Sequence, residues 1–176
     1  TAAEGRARSL RSAALSVPLD ANAAADAFVN EQGEALGLRE PLKALSAVRT
    51  DIDSAGKTHI RYEQRLNGVP VYGAEVVVHV GSGGEAESIS GQAAGWVSVD
   101  TTPRLTEAQA VSIAKNHWLS RLGGAVSAAV GDVSLYVLAP GLLDNTRDTS
   151  SYLVWKIQLK NVDALVDFLY FVDASS

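Results

Sequence analysis

Apolar and polar residues alternate most clearly over residues 59–91, and this pattern predicts a run of antiparallel β-strands. Side chains alternate over residues 60–66, and a mostly apolar run occupies residues 69–80. The Asn-Gly pair at 67–68 separates them and predicts a type I′ hairpin turn, because that turn needs positive φ at both central positions. A second turn is predicted at the glycine-rich segment 81–84, before a further strand.

Side chains two residues apart on a strand share a face, so each strand predicts one set of residues on a common face. These sets are Ile60, Tyr62, Gln64 and Leu66 on the first strand, and Tyr72, Ala74, Val76, Val78 and Val80 on the second. Pro70 has no N–H for a sheet ladder and is expected at the start of its strand or on an edge. This region therefore predicts a sheet with one apolar face.

The rest of the first half predicts one helix and two more strands. The helix is expected over residues 20–36, with Asp20 as its N-cap and Gly37 as its stop. Residues 42–52 alternate loosely and predict a strand, and residues 94–99 predict another short one. The first half is therefore expected to be a helix followed by a meander of about four antiparallel strands.

The second half repeats this plan after a seam at residues 100–103. Thr106 and Gln109 have the spacing of a capping box, which predicts the start of a helix. Gly123 and Gly124 predict its end. The buried stripe of this helix is predicted to contain Ala110, Ile113, Ala114, His117, Trp118 and Leu122.

Three strand patterns follow the second helix. The sets that share a face are Val133, Leu135 and Val137; Leu153, Trp155, Ile157 and Leu159; and Val166, Phe168, Tyr170 and Val172. The connection over residues 140–151 is long for a hairpin, and loops of that length are often functional or disordered. The predicted fold class is α+β, with two tandem helix-on-antiparallel-sheet subdomains.

Composition narrows the classes of partner. The chain has 176 residues with a formal net charge of −5, which argues against nucleic acid as a partner because phosphate binding needs a basic surface. Three arginines near the N-terminus (Arg6, Arg8 and Arg11) are better explained by a solvated, weakly ordered tail over residues 1–18 than by a binding arm. No apolar run approaches the about 20 residues needed to span a bilayer, so no membrane partner is expected.

The sequence contains no cysteine, so it has neither a disulfide nor a thiolate metal site, and this is compatible with a secreted or an intracellular protein. It begins at Thr1 and has no methionine, as expected for a processed or excised piece of a longer precursor whose signal peptide is already removed. A fragment that was chosen for recombinant expression would show the same two features.

No arrangement of residues in the sequence predicts catalysis. The three histidines, His59, His79 and His117, lack the His-Glu-x-x-His spacing of zinc proteases, and each is predicted to be a partly buried, hydrogen-bonded histidine. No Gly-x-Ser-x-Gly elbow is present. Four acidic residues in predicted turns (Glu85, Glu87, Asp144 and Asp148) lack the spacing of a calcium loop. We therefore expect no catalytic residue, no metal site and no cofactor in this chain.

One stretch resembles a known family closely. Residues 61–79 read Arg-Tyr-Glu-Gln-Arg-Leu-Asn-Gly-Val-Pro-Val-Tyr-Gly-Ala-Glu-Val-Val-Val-His and are similar to the fungalysin/thermolysin propeptide domain. The residues that carry the motif are Arg61, Gln64, Gly68, Val69, Pro70, Val71, Tyr72 and Gly73. In the second half, segments 105–110, 135–138, 152–157 and 171–174 resemble the PepSY domain that follows it in these proteins.

The resemblance implies two cystatin-like subdomains, a propeptide domain over residues 19–99 and a PepSY-like domain over residues 100–176. It further implies the prosegment of a secreted zinc metalloprotease, exported through the periplasm in a Gram-negative cell, which assists folding of the protease domain and keeps it inactive until cleaved. The partner is then the cognate catalytic domain, which holds the zinc. The segment nearest the catalytic cleft, and hence the candidate protease contacts, is Asp173, Ala174, Ser175 and Ser176.

A free-standing secreted module is the alternative interpretation. Such a module would bind a protease or a cell-envelope protein by adding a strand to an exposed sheet edge. The coding frame beyond Ser176 distinguishes the two interpretations, because a prosegment predicts a downstream His-Glu-x-x-His sequence.

Overall fold

The computed structural model describes residues 6–11, 20–122, 128–161 and 166–176. Contacts divide the chain into two compact units. Unit 1 comprises Thr1–Val97 and Ala139–Ser150, and unit 2 comprises Ser98–Leu138 and Ser151–Ser176. The segment 139–150, which interrupts unit 2 in the sequence, therefore belongs to unit 1.

Unit 1 contains five strands, two short helices and one longer helix. In chain order they are β1 (Arg6–Arg11), α1 (Ala21–Gln32), α2 (Pro41–Ala44), β2 (Leu45–Ile52), β3 (Thr58–Leu66), β4 (Val69–Val80), β5 (Ala86–Gln92) and α4 (Pro140–Leu143). The strands pair antiparallel in the order β1-β5-β4-β3-β2. Helix α1 contacts β3, β4 and β5 and covers one face of this sheet.

The two ends of α1 follow from local chemistry. Asp20 accepts a hydrogen bond from the backbone N–H of Asn22, which satisfies one of the amides exposed at a helix start. The helix ends at Gln32, four residues before the predicted end, and Gly33 follows as its C-cap. A Cβ on Gly33 would overlap the ring of Pro41, so glycine is needed where α2 packs against the end of α1.

The core of unit 1 lies between α1 and the sheet. It is formed by fully or almost fully buried side chains of the helix, of the loop that follows it and of the strands, with Phe28, Val29, Leu36, Ile60, Tyr62, Val76, Val78 and Ile89 among the members. Ile60 lies opposite Val78, and Tyr62 lies opposite Val76, so apolar side chains pair across β3 and β4. The predicted strand over residues 94–99 is wrong, because residues 95–96 form a turn and the others belong to no strand.

Unit 2 contains helix α3 (Glu107–Leu122) and the antiparallel strands β6 (Ala128–Leu138), β7 (Tyr152–Asn161) and β8 (Val166–Asp173). Thr106 and Gln109 form the predicted capping box: the Gln109 N–H donates to the Thr106 hydroxyl oxygen, and the Thr106 N–H donates to the glutamine side-chain oxygen. The α+β class predicted from the sequence is confirmed, with one helix covering one face of a sheet in each unit.

The buried stripe of α3 is narrower than predicted. Ala110, Ala114 and Trp118 are buried, four residues apart, against Ile157 and Leu159 of β7. Two other members of the predicted stripe, Ile113 and His117, are exposed. Val111 is partly buried and packs against the same cluster from the side of this row. The Leu122 side chain and the predicted stop at residues 123–124 lie outside the described part of the chain.

The N-terminal segment differs from its prediction. The backbone of Arg6–Arg11 forms β1 and pairs with β5, whereas the sequence predicts a weakly ordered tail over residues 1–18. Backbone pairing at a sheet edge needs no alternation of apolar side chains, and the arginine and serine content of this segment gives none. The rest of that predicted tail lies outside the described residues.

Candidate functional site

Gln64, the glutamine of the motif, joins β3 to the chain beyond β5. Gln64 is 4% exposed and is the one buried polar or charged residue in the part of the chain that the structure describes. The amide nitrogen donates to the Ala94 carbonyl oxygen over 3.0 Å, and the amide oxygen accepts from the Ala94 N–H over 2.8 Å. The side chain thus pairs with Ala94 as a second peptide group would, and it satisfies both backbone groups of a residue that is fully buried.

The hairpin at the centre of the motif has the predicted turn. Asn67 has a φ of 49° and Gly68 a φ of 86°, so both central positions lie in the left-handed region that a type I′ turn requires. Arg65 holds this end of the hairpin, because one guanidinium nitrogen donates to the Gly68 carbonyl over 2.7 Å and another to the Glu63 carboxylate over 2.6 Å. The predicted hairpin is confirmed.

A large bulge on β4 follows the turn. Arg65 pairs with Pro70 and Glu63 pairs with Glu75, so β4 carries extra residues opposite Gln64. At Gly73 the φ is +76°, and an added Cβ would lie 2.7 Å from the Leu143 side chain of α4. Glycine at this position therefore serves both the bulge and the approach of the 139–150 segment to β4.

The bulge changes which side chains face the core. Val71 is buried and Tyr72 is only half-buried, while Ala74, Val76 and the later alternate residues of β4 are buried. The predicted face that grouped Tyr72 with Ala74 is therefore wrong at its first member. The two other motif residues of this strand, Val69 and Pro70, are half-buried beside the turn, and Pro70 is the second residue of β4.

Arg61 lies on the face of the sheet opposite to α1. Its guanidinium is 2.5 Å from the Glu75 carboxylate, and both side chains are nearly half exposed. An ion pair in such contact with water contributes at most about 1 kcal/mol. The role of Arg61 that the structure shows is therefore a cross-strand pair on the surface of the sheet.

Tyr62 fixes α1 to the sheet. The Tyr62 hydroxyl donates to the Asp26 carboxylate over 2.6 Å. Burial raises the pKa of Tyr62 well above its usual range, and the hydrogen bond to Asp26 raises that pKa further. The phenol therefore stays protonated and keeps its role as a donor at any physiological pH.

Two of the three histidines meet on the same face as Arg61. His59 on β3 is the cross-strand partner of His79 on β4, and their Nδ1 atoms are 2.7 Å apart. The other ring nitrogen of His59 lies 3.2 Å from the Asp53 carboxylate, and that of His79 lies 3.1 Å from the Ser90 hydroxyl. Burial lowers the pKa of His79, and the nearby His59 lowers it further.

The third histidine, His117, is exposed on α3, where its ring contacts that of Tyr170 at 5.6 Å between centroids. The predicted burial is therefore wrong for this histidine. Across the described residues there is no group of three or more histidine, aspartate or glutamate side chains that would hold a metal ion. No helix in the part of the chain that the structure describes is long and apolar enough to cross a bilayer.

The four candidate protease contacts lie at the end of β8. Ala174 is fully buried, its N–H donates to the Leu153 carbonyl, and its carbonyl accepts from the N–H groups of Arg104 and Leu105. The neighbouring side chains of Asp173, Ser175 and Ser176 are exposed, and Asp173 accepts from the Ser175 N–H over 2.7 Å. The backbone of Ala174 thus joins β7 to the segment before α3 within unit 2. The role of the four residues as protease contacts stays a prediction.

A second hydrogen bond holds the same region. The Trp155 indole nitrogen donates to the Leu105 carbonyl over 2.9 Å. With the bonds from Ala174, it ties the segment before α3 to β7 and to the end of β8. These residues belong to the segments that resemble the PepSY domain, and each of them acts inside unit 2.

Known proteins match this chain over segments of different length. The Fungalysin/Thermolysin Propeptide Motif matches residues 43–93. The hemagglutinin/proteinase of Vibrio cholerae serotype O1 is 31% identical over 138 residues, which are 77% of this chain and 22% of that protein. The thermolysins of Alicyclobacillus acidocaldarius and Bacillus caldolyticus are each 49% identical over 47 residues, which are 27% of this chain and 8% of those proteins.

Among solved structures, the Bacillus megaterium YpeB C-terminal domain aligns with 90% of this chain and 62% of its own, at 12% identity and a TM-score of 0.39. The chain spans about a fifth of the hemagglutinin/proteinase and less than a tenth of the thermolysins. The resemblance predicted from residues 61–79 is confirmed, and the chain carries the propeptide motif of the fungalysin/thermolysin proteins.

Proposed function

We propose that this chain is the non-catalytic prosegment of a secreted zinc metalloprotease, and that it acts as an intramolecular chaperone and inhibitor of the protease domain until it is removed. The observation that carries the proposal is the propeptide motif over residues 43–93, together with an identity to the Vibrio hemagglutinin/proteinase that extends over 77% of the chain. The zinc belongs to the partner catalytic domain. The second half is assigned a PepSY-like role on its resemblance.

The surface of unit 1 offers an edge for such a partner. Within the described residues β2 pairs with β3 alone, so its other side is a sheet edge. Every side chain of β2 after Leu45 is exposed, including Val48 at 48% and Ile52 at 72%. An exposed edge with apolar side chains accepts a strand from another domain through main-chain hydrogen bonds.

Unit 2 offers a comparable edge at β8, which pairs with β7 within its unit. Leu169 is 48% exposed and Phe168 is 39% exposed. We infer that inhibition uses one of these edges, the segment 140–151 or the C-terminal residues 173–176 to cover the catalytic cleft.

Tethering explains how a small prosegment assists folding. A partner joined by a flexible link has an effective concentration of millimolar order. If the dissociation constant of the complex is of nanomolar order, the ratio of this concentration to that constant stabilises the folded protease by about 8 kcal/mol, because only the folded state binds. That gain is comparable with the stability of a whole domain. Cleavage of the link removes the gain, and dilution or digestion of the prosegment releases activity.

The test adds this chain in trans to a thermolysin-like protease. At micromolar concentration it is expected to slow peptide hydrolysis and to raise the yield of active protease after refolding. Substituting Ile52→Lys on β2 or Leu169→Lys on β8 identifies the edge that binds. Ile113→Lys is the matched control, because Ile113 is 46% exposed on the outer side of α3. Unchanged hydrolysis together with unchanged refolding yield would contradict the proposal.

The free-standing binding module is the second candidate, and the open edge of β2 favours it as well. The gene distinguishes the two candidates. A His-Glu-x-x-His sequence in the frame beyond residue 176 supports the prosegment, and a stop codon directly after it supports the module.

A further inference from the structure

The histidine pair of unit 1 joins four elements. His59 lies on β3 and His79 on β4, while Asp53 comes from the turn before β3 and Ser90 from β5. Both imidazoles are half-buried, and their rings meet edge to face with centroids 4.9 Å apart. The four side chains form one continuous line of hydrogen bonds across the sheet.

The line fixes where the protons are. The Asp53 carboxylate only accepts, so the facing His59 nitrogen carries a hydrogen, and the Nδ1 of a neutral His59 is then an acceptor. At 2.7 Å between the two Nδ1 atoms, His79 must donate to it. The remaining His79 nitrogen then accepts from the Ser90 hydroxyl. With both rings neutral, every ring nitrogen has a partner.

One added proton fits this arrangement, but a second does not. If His59 gains the proton, its Nδ1 donates to His79, which shifts its own hydrogen to the nitrogen that faces Ser90. With two added protons, both Nδ1 atoms carry hydrogens across 2.7 Å, and two positive charges face each other. The rings must then separate, and the line of hydrogen bonds between β3 and β4 is broken.

Charged groups around the pair do not remove this conflict. Near His79, the Lys57 ammonium and the Glu87 carboxylate form an ion pair at 2.6 Å. The Glu85 carboxylate is a further charged neighbour of Lys57. On β2, Asp51 lies opposite His59 in the register, but it is paired with Arg49 at 2.7 Å. The two ion pairs, Lys57–Glu87 and Arg49–Asp51, each have no net charge. The carboxylates of Asp53 and Glu85 remain, and neither lies between the two Nδ1 atoms.

We propose that the His59–His79 pair is a pH-sensitive latch in the sheet of unit 1, which is closed while the pair holds at most one added proton and opens when both rings are protonated. The direction of the pKa shift agrees with the geometry. Because the folded-state pKa of His79 is lowered, its contribution to stability is complete above the ordinary histidine pKa of about 6.5 and is lost as the pH falls through the folded value. The inference concerns this chain alone and does not depend on the proposed function.

The decisive measurement follows the imidazole nitrogens of the whole chain by two-dimensional ¹H–¹⁵N NMR during an acid titration. The pair is expected to take up its protons in two separate steps, the second below the ordinary histidine range. A single shared step for His59 and His79, near the ordinary value of about 6.5, would overturn the proposal.

Unfolding by urea gives an independent test. Between about pH 7.5 and about pH 5 the midpoint of the wild-type chain is expected to fall, and most of this fall is expected to disappear in His59→Gln and His79→Gln. His117→Gln is the control and retains the full pH dependence. Equal pH dependence in all variants contradicts the latch. If a variant at the pair fails to fold, the wild-type NMR titration decides by itself.

Discussion

Replacing Gln64 with leucine tests whether the motif glutamine holds the fold of unit 1. Leucine is similar in size but has no polar atom, so the Ala94 N–H loses its partner, while the Ala94 carbonyl keeps the hydrogen bond from the Val97 N–H at 3.2 Å. Ala94 is fully buried, and each buried backbone group left unpaired costs about 1–3 kcal/mol. Part of this is offset because leucine itself needs no hydrogen bond in the core. We expect a net loss of about 1–3 kcal/mol, which is a substantial fraction of the stability of a typical domain.

The assay is urea unfolding of wild type and Gln64→Leu, followed by circular dichroism, together with hydrogen exchange at the Ala94 amide. Gln92→Leu is the matched control, because Gln92 donates a single exposed hydrogen bond, 3.1 Å long, to the Gly73 carbonyl. That change is expected to cost at most about 1 kcal/mol. Gln64→Leu should also expose the Ala94 amide to rapid exchange.

A Gln64→Glu variant refines the same test. The glutamate keeps an acceptor for the Ala94 N–H, but an ionised carboxylate cannot donate to the Ala94 carbonyl. A protonated carboxyl can donate, so the variant is expected to approach wild-type stability as the pH falls and the glutamate is neutralised. Equal stability of Gln64→Leu and wild type to within about 0.5 kcal/mol, with the Ala94 amide still protected, would refute the reasoning.

Two further changes test the other contacts of the motif region. Gly73→Ala places a Cβ at a φ of +76° and 2.7 Å from Leu143, and it is expected to cost about 1–2 kcal/mol for the backbone plus the cost of the overlap. Gly68→Ala, at a φ of +86° with no atom within 4 Å, should cost the backbone part alone, and equal losses in urea unfolding would contradict the contact with Leu143. Tyr62→Phe removes the bond to Asp26 and is expected to cost about 1–2 kcal/mol near neutral pH. Because the pKa of Tyr62 is raised on folding, wild-type stability should also fall above about pH 10, and alkaline unfolding that is the same in Tyr62→Phe would count against this bond.

Local signals in the sequence predicted the parts of the fold that depend on neighbouring residues. The caps at Asp20 and Thr106 and the turn at residues 67–68 are all present. In each case the residue type satisfies a backbone requirement within four residues along the chain. The apolar alternation of β3 likewise identified Ile60 and Tyr62 as core residues.

The bulge on β4 was missed because it depends on two strands at once. Continuing the Leu66–Val69 register along the hairpin would place Ile60 opposite Glu75, an apolar core residue opposite a charged one. The core residues of β3 and β4 lie on the same face of the sheet only if β4 has an odd number of extra residues between the turn and Glu75. That mismatch was visible in the sequence, and Gly73 marked a position where it is resolved.

The same offset explains why the histidine pair was not predicted. If the Leu66–Val69 register continued from the turn, His59 would lie opposite Val76. The extra residues of the bulge shift β4 so that His79 lies opposite His59. The contact between Leu143 and Gly73 was likewise beyond sequence reasoning, since it joins residues 70 positions apart through a segment with little periodic pattern. Both are products of tertiary structure rather than of local preference.

The residues that carry the family resemblance act within the sheet, and this has a consequence for inhibition. Gln64 pairs with buried Ala94, and Gly68 and Gly73 shape the hairpin, so changes at these positions are expected to lower the folded fraction of this chain. Under the proposed function, inhibition of the protease should then fall only as far as that fraction falls. The exposed edge residues Ile52 and Leu169 have few contacts to lose, because about half or more of each side chain faces solvent. A substitution there that weakens inhibition without changing the unfolding midpoint therefore locates the partner's binding surface outside the residues that identify the family.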